Sequence, residues 1–313
     1  MTHDVLSPAG PFAGLIANLF WVFVVVAAVV YAAVIGVLVW ALRRRRDASH
    51  HGVPRATPRS TLRGIAAAVG ATAVILVGLA VADFSAGRAL AFAPPEPLRI
   101  QVTANQWWWE IEYPGATPAQ RVRTANELRI PTGTPIELVL TSRDVIHSFW
   151  VPSLQGKKDL LPGYSTTLRL EAERPGVYRG ECAEFCGFQH ARMSIDVIAQ
   201  PRADYDAWLA RQQMLAPEPA DPRVIRGRDV FLTSNCIMCH TVAGTDAAAV
   251  LGPDLTHVAS RARIAAGTLP NTAPNLAAWI SDPQAFKPGT RMPATTLPPE
   301  DLAALVAWLA SLR

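Results

Sequence analysis

Two long uncharged stretches dominate the first third of the chain. Charged residues are absent from Val5 to Leu42 and from Gly64 to Ala82, and about 20 apolar residues in a helix can cross a bilayer. The pattern predicts membrane spans at about residues 15–42 and 63–83, with a buried core helix as the alternative for each. The first stretch lacks the basic start of a cleaved signal peptide and is too long for one, so we expect it to be retained.

The remaining two thirds of the chain change pattern twice. From Leu98 to about Val197, short apolar alternations are broken by turn residues, which predicts a β-sandwich or barrel. A short helix is expected at Asp204–Met214 and a closing helix at Asp301–Leu312, where apolar residues recur at helical spacing. Pro/Ala-rich segments separate these parts. The predicted organisation is a helical hairpin (1–90), a β domain (91–200), a linker (201–222) and a helical domain (223–313).

The charge between the two spans predicts the orientation. The intervening loop holds seven arginines and one acidic residue, Asp47, and loops rich in Lys and Arg stay in the cytoplasm. Both termini, and everything after about Asp83, are then expected outside. The net charge of +4 owes much to this loop, so it does not indicate nucleic-acid binding.

A haem-attachment motif opens the helical domain. Cys236-Ile237-Met238-Cys239-His240 has the C-x-x-C-H spacing, in which two thiols bind the haem vinyl groups and the His ligates the iron. Met292, between prolines and 52 residues further on, is the candidate second axial ligand, because Met/His ligation suits an electron carrier. His257 is the other possible ligand, and we expect it instead to face solvent or the haem propionates.

A second cluster of soft ligands lies in the β domain. Cys182, Cys186, His190 and Met193 fall within twelve residues, and His147 lies 35 residues before Cys182, at the end of a predicted strand. Thiolate, imidazole and thioether groups together favour copper. Two cysteines supply thiolate for two copper ions, which predicts bridging sulfurs with one His on each copper and Met193 as a weak axial ligand.

Two structural alternatives, disulfide bonds and a zinc site, remain open for the cysteines. Four cysteines outside the membrane could form two disulfides. Two Cys and two His residues could also hold tetrahedral zinc, although zinc leaves Met193 unexplained.

The chain resembles subunit II of haem–copper cytochrome c oxidases. The resemblance rests on C-x-E-x-C-x-x-x-H-x-x-M at Cys182–Met193, the segment Asp144–Leu154, the Gln106–Trp109 stretch and the two spans. Residues 223–313 resemble class I cytochromes c, as in caa-type oxidases. The implied fold is a multidomain membrane protein with a transmembrane helical hairpin, an all-β cupredoxin-like barrel and an all-α class I cytochrome c domain.

The resemblance adds roles to two further positions. It implies that Glu184 offers its backbone carbonyl to copper and its carboxylate to magnesium at the subunit I interface. It also implies that electrons enter the copper domain at Trp107, whereas Trp108 or Trp109 is expected to fill the barrel core. The chain departs from the family in having no acidic residue near the start of the second span and Trp108 in place of the usual Tyr.

The implied function is that of an electron-transfer subunit of a respiratory terminal oxidase. Electrons would pass from a cytochrome c donor, through haem c and dinuclear copper, to subunit I, where oxygen is reduced. Subunit I, subunit III and membrane lipid are the expected partners. The implied location is the bacterial plasma membrane, with the metal domains on the periplasmic side.

Three other functions compete with this interpretation. A relay subunit of a copper-containing nitric oxide reductase could carry similar ligands. A membrane-tethered copper carrier would gain nothing from a covalent haem. Quinol oxidases have a related subunit II that lacks the copper ligands, so the full ligand set argues against quinol as donor.

Overall fold

The computed structural model describes residues 3–51, 57–91, 97–117 and 120–313. The chain divides into two compact units. One is Gly14–Ala93, and the other consists of Met1–Ala13 together with Pro94–Arg313. The first unit holds α1 (Pro11–His51, which begins in the other unit) and α2 (Pro58–Ala91). Both helices are long and apolar enough to cross a membrane, and their apolar side chains are exposed rather than buried in protein. The observed helices extend beyond both predicted spans.

The β domain is built from two five-stranded sheets around one apolar core. The first sheet has the order β3-β2-β1-β5-β8 and the second the order β4-β10-β9-β6-β7. Strands β1 and β5 are parallel, as are β4 and β10, whereas the other neighbours are antiparallel. The strands are β1 (Leu98–Asn105), β2 (Trp108–Tyr113), β3 (Val122–Ala125), β4 (Glu127–Pro131), β5 (Ile136–Ser142), β6 (His147–Trp150), β7 (Lys158–Leu160), β8 (Thr166–Leu170), β9 (Gly176–Cys182) and β10 (Ser194–Gln200).

Large apolar side chains from both sheets meet in this core. Trp109 of β2 and Phe149 of β6 are fully buried, with their rings 5.7 Å apart edge to face. A sandwich of this kind fixes the loops at its ends, and the candidate copper ligands lie on those loops and on the adjoining ends of two strands. The N-terminal segment also contacts this domain, because the Ala9 amide donates to the Ser153 carbonyl at 2.7 Å.

A helical domain follows the sandwich. α3 (Arg202–Gln212) precedes this domain and buries Tyr205 and Trp208 in the sandwich core. The elements of the helical domain are α4 (Pro222–Thr233), α5 (Ala273–Ser281), α6 (Pro283–Phe286), α7 (Pro299–Ser311) and a short antiparallel pair, β11 (Arg263–Ile264) with β12 (Leu269–Pro270). Asp221 caps α4 by accepting from the amides of Arg223 and Val224, with Pro222 at the first helical position.

The first and last helices of this domain cross at a glycine. A Cβ atom at Gly227 of α4 would lie 2.0 Å from the Ala304 carbonyl oxygen of α7, so only glycine permits this close approach. One turn away, the rings of Phe231 and Trp308 pack at 4.9 Å. This helix pair supports the segment that carries Cys236 and Cys239.

The sandwich and the helical domain share hydrogen bonds. The Glu127 carboxylate accepts from the Ala262 amide at 2.5 Å, and the Ser194 amide donates to the Ala266 carbonyl at 3.2 Å. The two domains therefore form one compact unit. The predicted fold class agrees with this architecture: two long apolar helices, a β-sandwich and a C-terminal helical domain.

Candidate metal centre and haem pocket

The predicted copper ligands converge at one end of the sandwich. His147 is the first residue of β6, rather than lying at the end of a strand as the sequence predicts, and Cys182 is the last residue of β9. These strands are neighbours, so their pairing brings His147 to Cys182 from 35 residues away. The following loop carries Cys186, and a 3₁₀ turn (His190–Arg192) leads into Met193 just before β10.

Both sulfurs face ligand atoms of the right kind. The two Sγ atoms are 3.7 Å apart, and both cysteines are free, so they are not joined in a disulfide. Cys182 Sγ lies 3.8 Å from Nδ1 of His147, and Cys186 Sγ lies 3.6 Å from Nδ1 of His190. Met193 Sδ is 3.9 Å from Cys186 Sγ. This paired set of thiol, imidazole and thioether groups fits copper, and its Met is unexplained by zinc.

A carboxylate missed by the sequence analysis orients one imidazole. Asp144 Oδ1 lies 2.8 Å from Nε2 of His147, and Oδ2 accepts from the Gln106 amide at 2.7 Å. Although burial acts to lower it, the pKa of His147 is raised, because Asp144 and Cys182 favour the charged ring. Such a carboxylate leaves the other ring nitrogen free for a metal. Its only sequence signal is its position three residues before His147.

The thiols of Cys182 and Cys186 share a hydrogen bond. The hydrogen bond between the two thiols lowers the pKa of Cys182 to about 3 and raises the pKa of Cys186. A bound metal would require both sulfurs as thiolates, and the low pKa of Cys182 favours that form.

Replacing Asp144 by asparagine is expected to weaken copper binding about 10- to 100-fold, the usual cost of losing the partner of a ligating His. Asparagine keeps the shape but removes the charge that holds the His147 ring. Competition with a chromogenic chelator measures the effect. Asp159→Asn, at an exposed position on β7, is the matched control, and equal copper retention in the two variants would contradict the assignment.

Glu184 combines two features at the edge of this cluster. Its backbone carbonyl oxygen is 3.2 Å from Cys182 Sγ, whereas the residue itself is exposed. The carbonyl is thus close enough to the sulfurs to serve as a weak ligand, and the carboxylate faces outward.

The haem motif lies on a 3₁₀ turn, Asn235–Met238, directly after α4. His240 follows it, and its Nδ1 donates to the Pro253 carbonyl at 2.7 Å, which leaves Nε2 free to bind iron. Burial lowers the pKa of His240, which favours the neutral ring that ligation requires. A Cβ at Gly252 would lie 2.7 Å from this ring, so glycine is needed there.

A cavity of about 700 Å³ opens beside the motif. This volume lies within the 300–1,000 Å³ range that is usual for cofactor sites. Cys236, Cys239, His240 and Met292 all line it, together with the apolar side chains of Leu255, Leu276, Trp279, Ile280, Leu297 and Leu309. Gln284 Nε2 fixes the Met292 segment by donating to the carbonyls of Thr290 (2.8 Å) and Met292 (3.1 Å). The donor set and the apolar wall fit a haem.

The sequence-based expectation for His257 is wrong. The residue is buried rather than solvent-facing, with Nδ1 2.9 Å from the Arg313 carbonyl oxygen and Nε2 3.1 Å from that of Met214. Both ring nitrogens are therefore engaged with backbone groups. His257 secures the C-terminus and the segment after α3, and it is neither a haem ligand nor a propionate partner.

The three adjacent tryptophans have three different environments. Trp109 is fully buried in the sandwich core, as one of the two alternatives predicted, whereas Trp108 is half-buried and lines the haem cavity. Trp107 also lines the cavity, and its Nε1 donates to the Cys186 carbonyl at 3.0 Å. Trp107 thus connects the cavity wall to a candidate copper ligand.

Two family models match the chain. The model described as the periplasmic domain of cytochrome c oxidase subunit II matches residues 116–200, and that of cytochrome c matches residues 224–313. The first match contains all of the candidate copper ligands, and the second contains the haem motif, Met292 and most of the cavity wall.

Similar proteins extend the likeness to nearly the whole chain. Cytochrome c oxidase subunit 2 of Alkalihalophilus pseudofirmus is 37% identical over 98% of this chain and 90% of its own length. Subunit 2 of Bacillus sp. PS3 is 36% identical over 68% of this chain and 62% of its length. Quinol oxidase subunit 2 of Bacillus cereus is 31% identical over 68% of this chain and 74% of its length.

Among solved structures, the periplasmic domain of oxidase subunit II from Bradyrhizobium japonicum aligns at a TM-score of 0.37. It is 26% identical, and the alignment covers 39% of this chain and 97% of that one.

Proposed function

Because the chain belongs to the cytochrome c oxidase subunit 2 family, we propose that it carries electrons from a cytochrome c donor, through haem c and dinuclear copper, to subunit I. Family membership makes it an electron-transfer subunit of an oxygen-reducing haem–copper oxidase. It also implies that the β domain binds copper and that the helical domain binds haem. It is membrane-anchored, with a periplasmic domain. The finer assignments below are our proposals.

The proposal depends above all on the sulfur pair of Cys182 and Cys186. Each thiol lies beside a different imidazole, His147 or His190, so the set is divided evenly between two metal positions. Met193 and the Glu184 carbonyl complete it as weak ligands. Two coppers held there would supply a centre that accepts and releases single electrons. The buried ligands and the Asp144 contact keep the donor atoms in place.

The haem would be held by four residues of the helical domain. Cys236 and Cys239 would bind it covalently, and His240 and Met292 would be its axial ligands, a combination typical of electron carriers. The Pro253 carbonyl orients His240, and Gln284 holds the Met292 segment. These contacts preorganise both ligands before any haem is bound.

Trp107 is proposed as the point at which electrons enter the copper domain. It is buried, lines the haem cavity and donates a hydrogen bond to the backbone of Cys186. Gly289 of the helical domain lies against its ring, since a Cβ there would be 3.5 Å away. The chain's own haem domain therefore covers Trp107, and we infer that the external donor binds to the haem domain.

Substituting Trp107 by phenylalanine is expected to slow electron delivery to copper at least about tenfold, equivalent to ~1.4 kcal/mol of barrier. The change removes the N–H group that contacts the Cys186 carbonyl while keeping an aromatic ring. Photoreduction of haem c followed by copper absorbance measures the rate. Trp150→Phe, in β6 and outside the cavity wall, is the control; equal rates in both variants would refute the role of Trp107.

Subunit I, and subunit III with it, are the proposed partners on the membrane side. Phe185 and Phe188 flank Cys186 and are 76% and 91% exposed, which favours burial against another subunit. The outward carboxylate of Glu184 would bind magnesium at that interface. The arginine-rich loop would lie in the cytoplasm, with both termini and the metal domains in the periplasm.

Purification of the complete oxidase tests the proposed function. We expect the bands of reduced haem c, near-infrared absorption of mixed-valence copper, two copper ions per chain beyond those of subunit I, and oxygen consumption with reduced cytochrome c. A complex with haem c but no copper in this chain would refute the relay. Consumption of nitric oxide without consumption of oxygen would point instead to a nitric oxide reductase.

A further inference from the structure

One lysine of the helical domain (the haem domain below) is buried where that domain meets the β domain (the copper domain below). Lys287 is 2% exposed, although lysine is almost never fully buried without partners. Its Nζ donates to the carbonyl oxygens of Trp107 (2.8 Å), Arg192 (2.9 Å) and Ala265 (3.4 Å). An ammonium group has three N–H donors, so these three carbonyls account for all of them.

The three acceptors come from three separate segments. Trp107 lies in the turn between β1 and β2, Arg192 immediately precedes Met193, and Ala265 belongs to the loop after β11. Trp107 and Arg192 are part of the copper domain, whereas Ala265 and Lys287 are part of the haem domain. The ammonium group therefore connects the Trp107 and Arg192 segments, which both lie next to the proposed copper site, to the haem domain.

Neighbouring residues extend this contact along the chain. Gln189 Nε2 donates to the Pro288 carbonyl at 2.8 Å, and the Arg192 guanidinium donates to the Phe286 carbonyl. Gly289, at a φ of +85°, lies against Trp107 and Phe188. The segment Phe286–Gly289 thus rests on the loop that holds Cys186 and His190, and it continues directly into Met292.

We propose that Lys287 is a positioning residue that locks the Met292-bearing loop onto the copper-ligand loop and so fixes the haem site relative to the copper site. The inference rests on the proposed function, since it concerns the two cofactor sites assigned there. A long, flexible stem with three donors can reach three separate carbonyls at once, which an apolar residue cannot do.

The cost of burying this charge supports a specific role. Burial lowers the pKa of Lys287 to about 7. Desolvation of a lysine is unfavourable, and it is offset here by the hydrogen bonds that the ammonium group donates to three carbonyl oxygens. A merely structural contact between the domains could use apolar side chains without this cost.

The test is Lys287→Met in the complete oxidase, with Lys157→Met, at an exposed position in the copper domain, as the matched control. Hydrogen–deuterium exchange is measured in peptides that cover residues 186–193 and 286–292. We expect exchange in both segments to become about tenfold faster in Lys287→Met and to be unchanged in Lys157→Met, because each tie to the copper loop is weakened.

A second measurement follows electron transfer between the two centres. Each transfer oxidises the haem iron by one electron and reduces the copper centre by one, and no proton or further reactant is needed. After photoreduction of the haem, we expect the rate in Lys287→Met to fall about tenfold, because a misplacement of reacting groups by about 1 Å can cost as much as about 100-fold. The haem and copper spectra and both reduction potentials should stay as in the parent protein.

Unchanged exchange in both segments would overturn the inference. A shift of the haem potential without faster exchange would also overturn it, because Lys287 would then act on the haem itself. If Lys287→Met does not assemble, Gln189→Leu removes the contact with Pro288 alone. It should then accelerate exchange at residues 286–292, and normal exchange there would overturn the inference. A parent complex lacking haem or copper bands would refute the proposed function instead.

Discussion

Replacing Cys186 by serine is expected to eliminate the proposed dinuclear copper centre while leaving the proposed haem site intact. Cys186 Sγ lies within 4 Å of a second thiol, an imidazole and a thioether, so its removal breaks three contacts of the cluster. A serine hydroxyl is a hard ligand with little affinity for copper in such a site. We expect loss of the near-infrared band and fewer copper ions per chain. Oxidase turnover should fall by more than about 100-fold, because losing only a residue that hydrogen-bonds a metal ligand already costs up to about 100-fold in activity.

The reciprocal variant provides the control. Cys236→Ser should remove one thioether bond and alter the haem c spectrum, but it should leave the copper content unchanged. Copper retained at two ions per chain in Cys186→Ser would contradict the assignment of Cys186 as a bridging ligand.

Substitution of Met292 by alanine is expected to lower the reduction potential of the haem on the order of 100 mV or more, because axial ligands set haem potentials over ≈ 0.8 V. Thioether ligation stabilises the reduced iron, so its loss favours the oxidised form. Electron transfer from a cytochrome c donor should slow accordingly. A spectroelectrochemical titration of the haem c band measures the potential.

Met238 offers a matched control for this experiment. It lies inside the haem-attachment motif but is 66% exposed, so Met238→Ala changes a methionine close to the haem without removing the proposed ligand. We expect its potential to equal that of the parent protein. An unaltered potential in Met292→Ala would mean that another group binds the iron. His257 is not available for that role, because both of its ring nitrogens contact backbone carbonyls.

Short-range motifs made the chemistry predictable. The haem motif occupies five consecutive residues, and Cys182, Cys186, His190 and Met193 lie within twelve, so the chain itself indicates which donor atoms are candidates for binding haem and copper. The two spans were predictable for a similar reason, since a run of uncharged residues long enough to cross a bilayer has few other solutions. The bounds of the four predicted domains remain predictions.

Contacts between distant segments were less predictable. Asp144 is an ordinary acidic residue in the sequence, and only the fold of the turn before β6 directs its carboxylate to His147. His257 was misread because a His near a haem motif has several possible uses. Its burial between the C-terminus and the segment after α3 depends on residues 43 and 56 positions away.

The sequence by itself determined which atoms can bind copper and haem, because ligand chemistry depends on residue type and close spacing along the chain. Only the tertiary structure decided how the two sites face each other: the cover over Trp107 and the burial of Lys287 both arise where two domains meet. Backbone carbonyls serve as acceptors there, and every residue has one, so no pattern of side chains reveals which of them a distant lysine will reach.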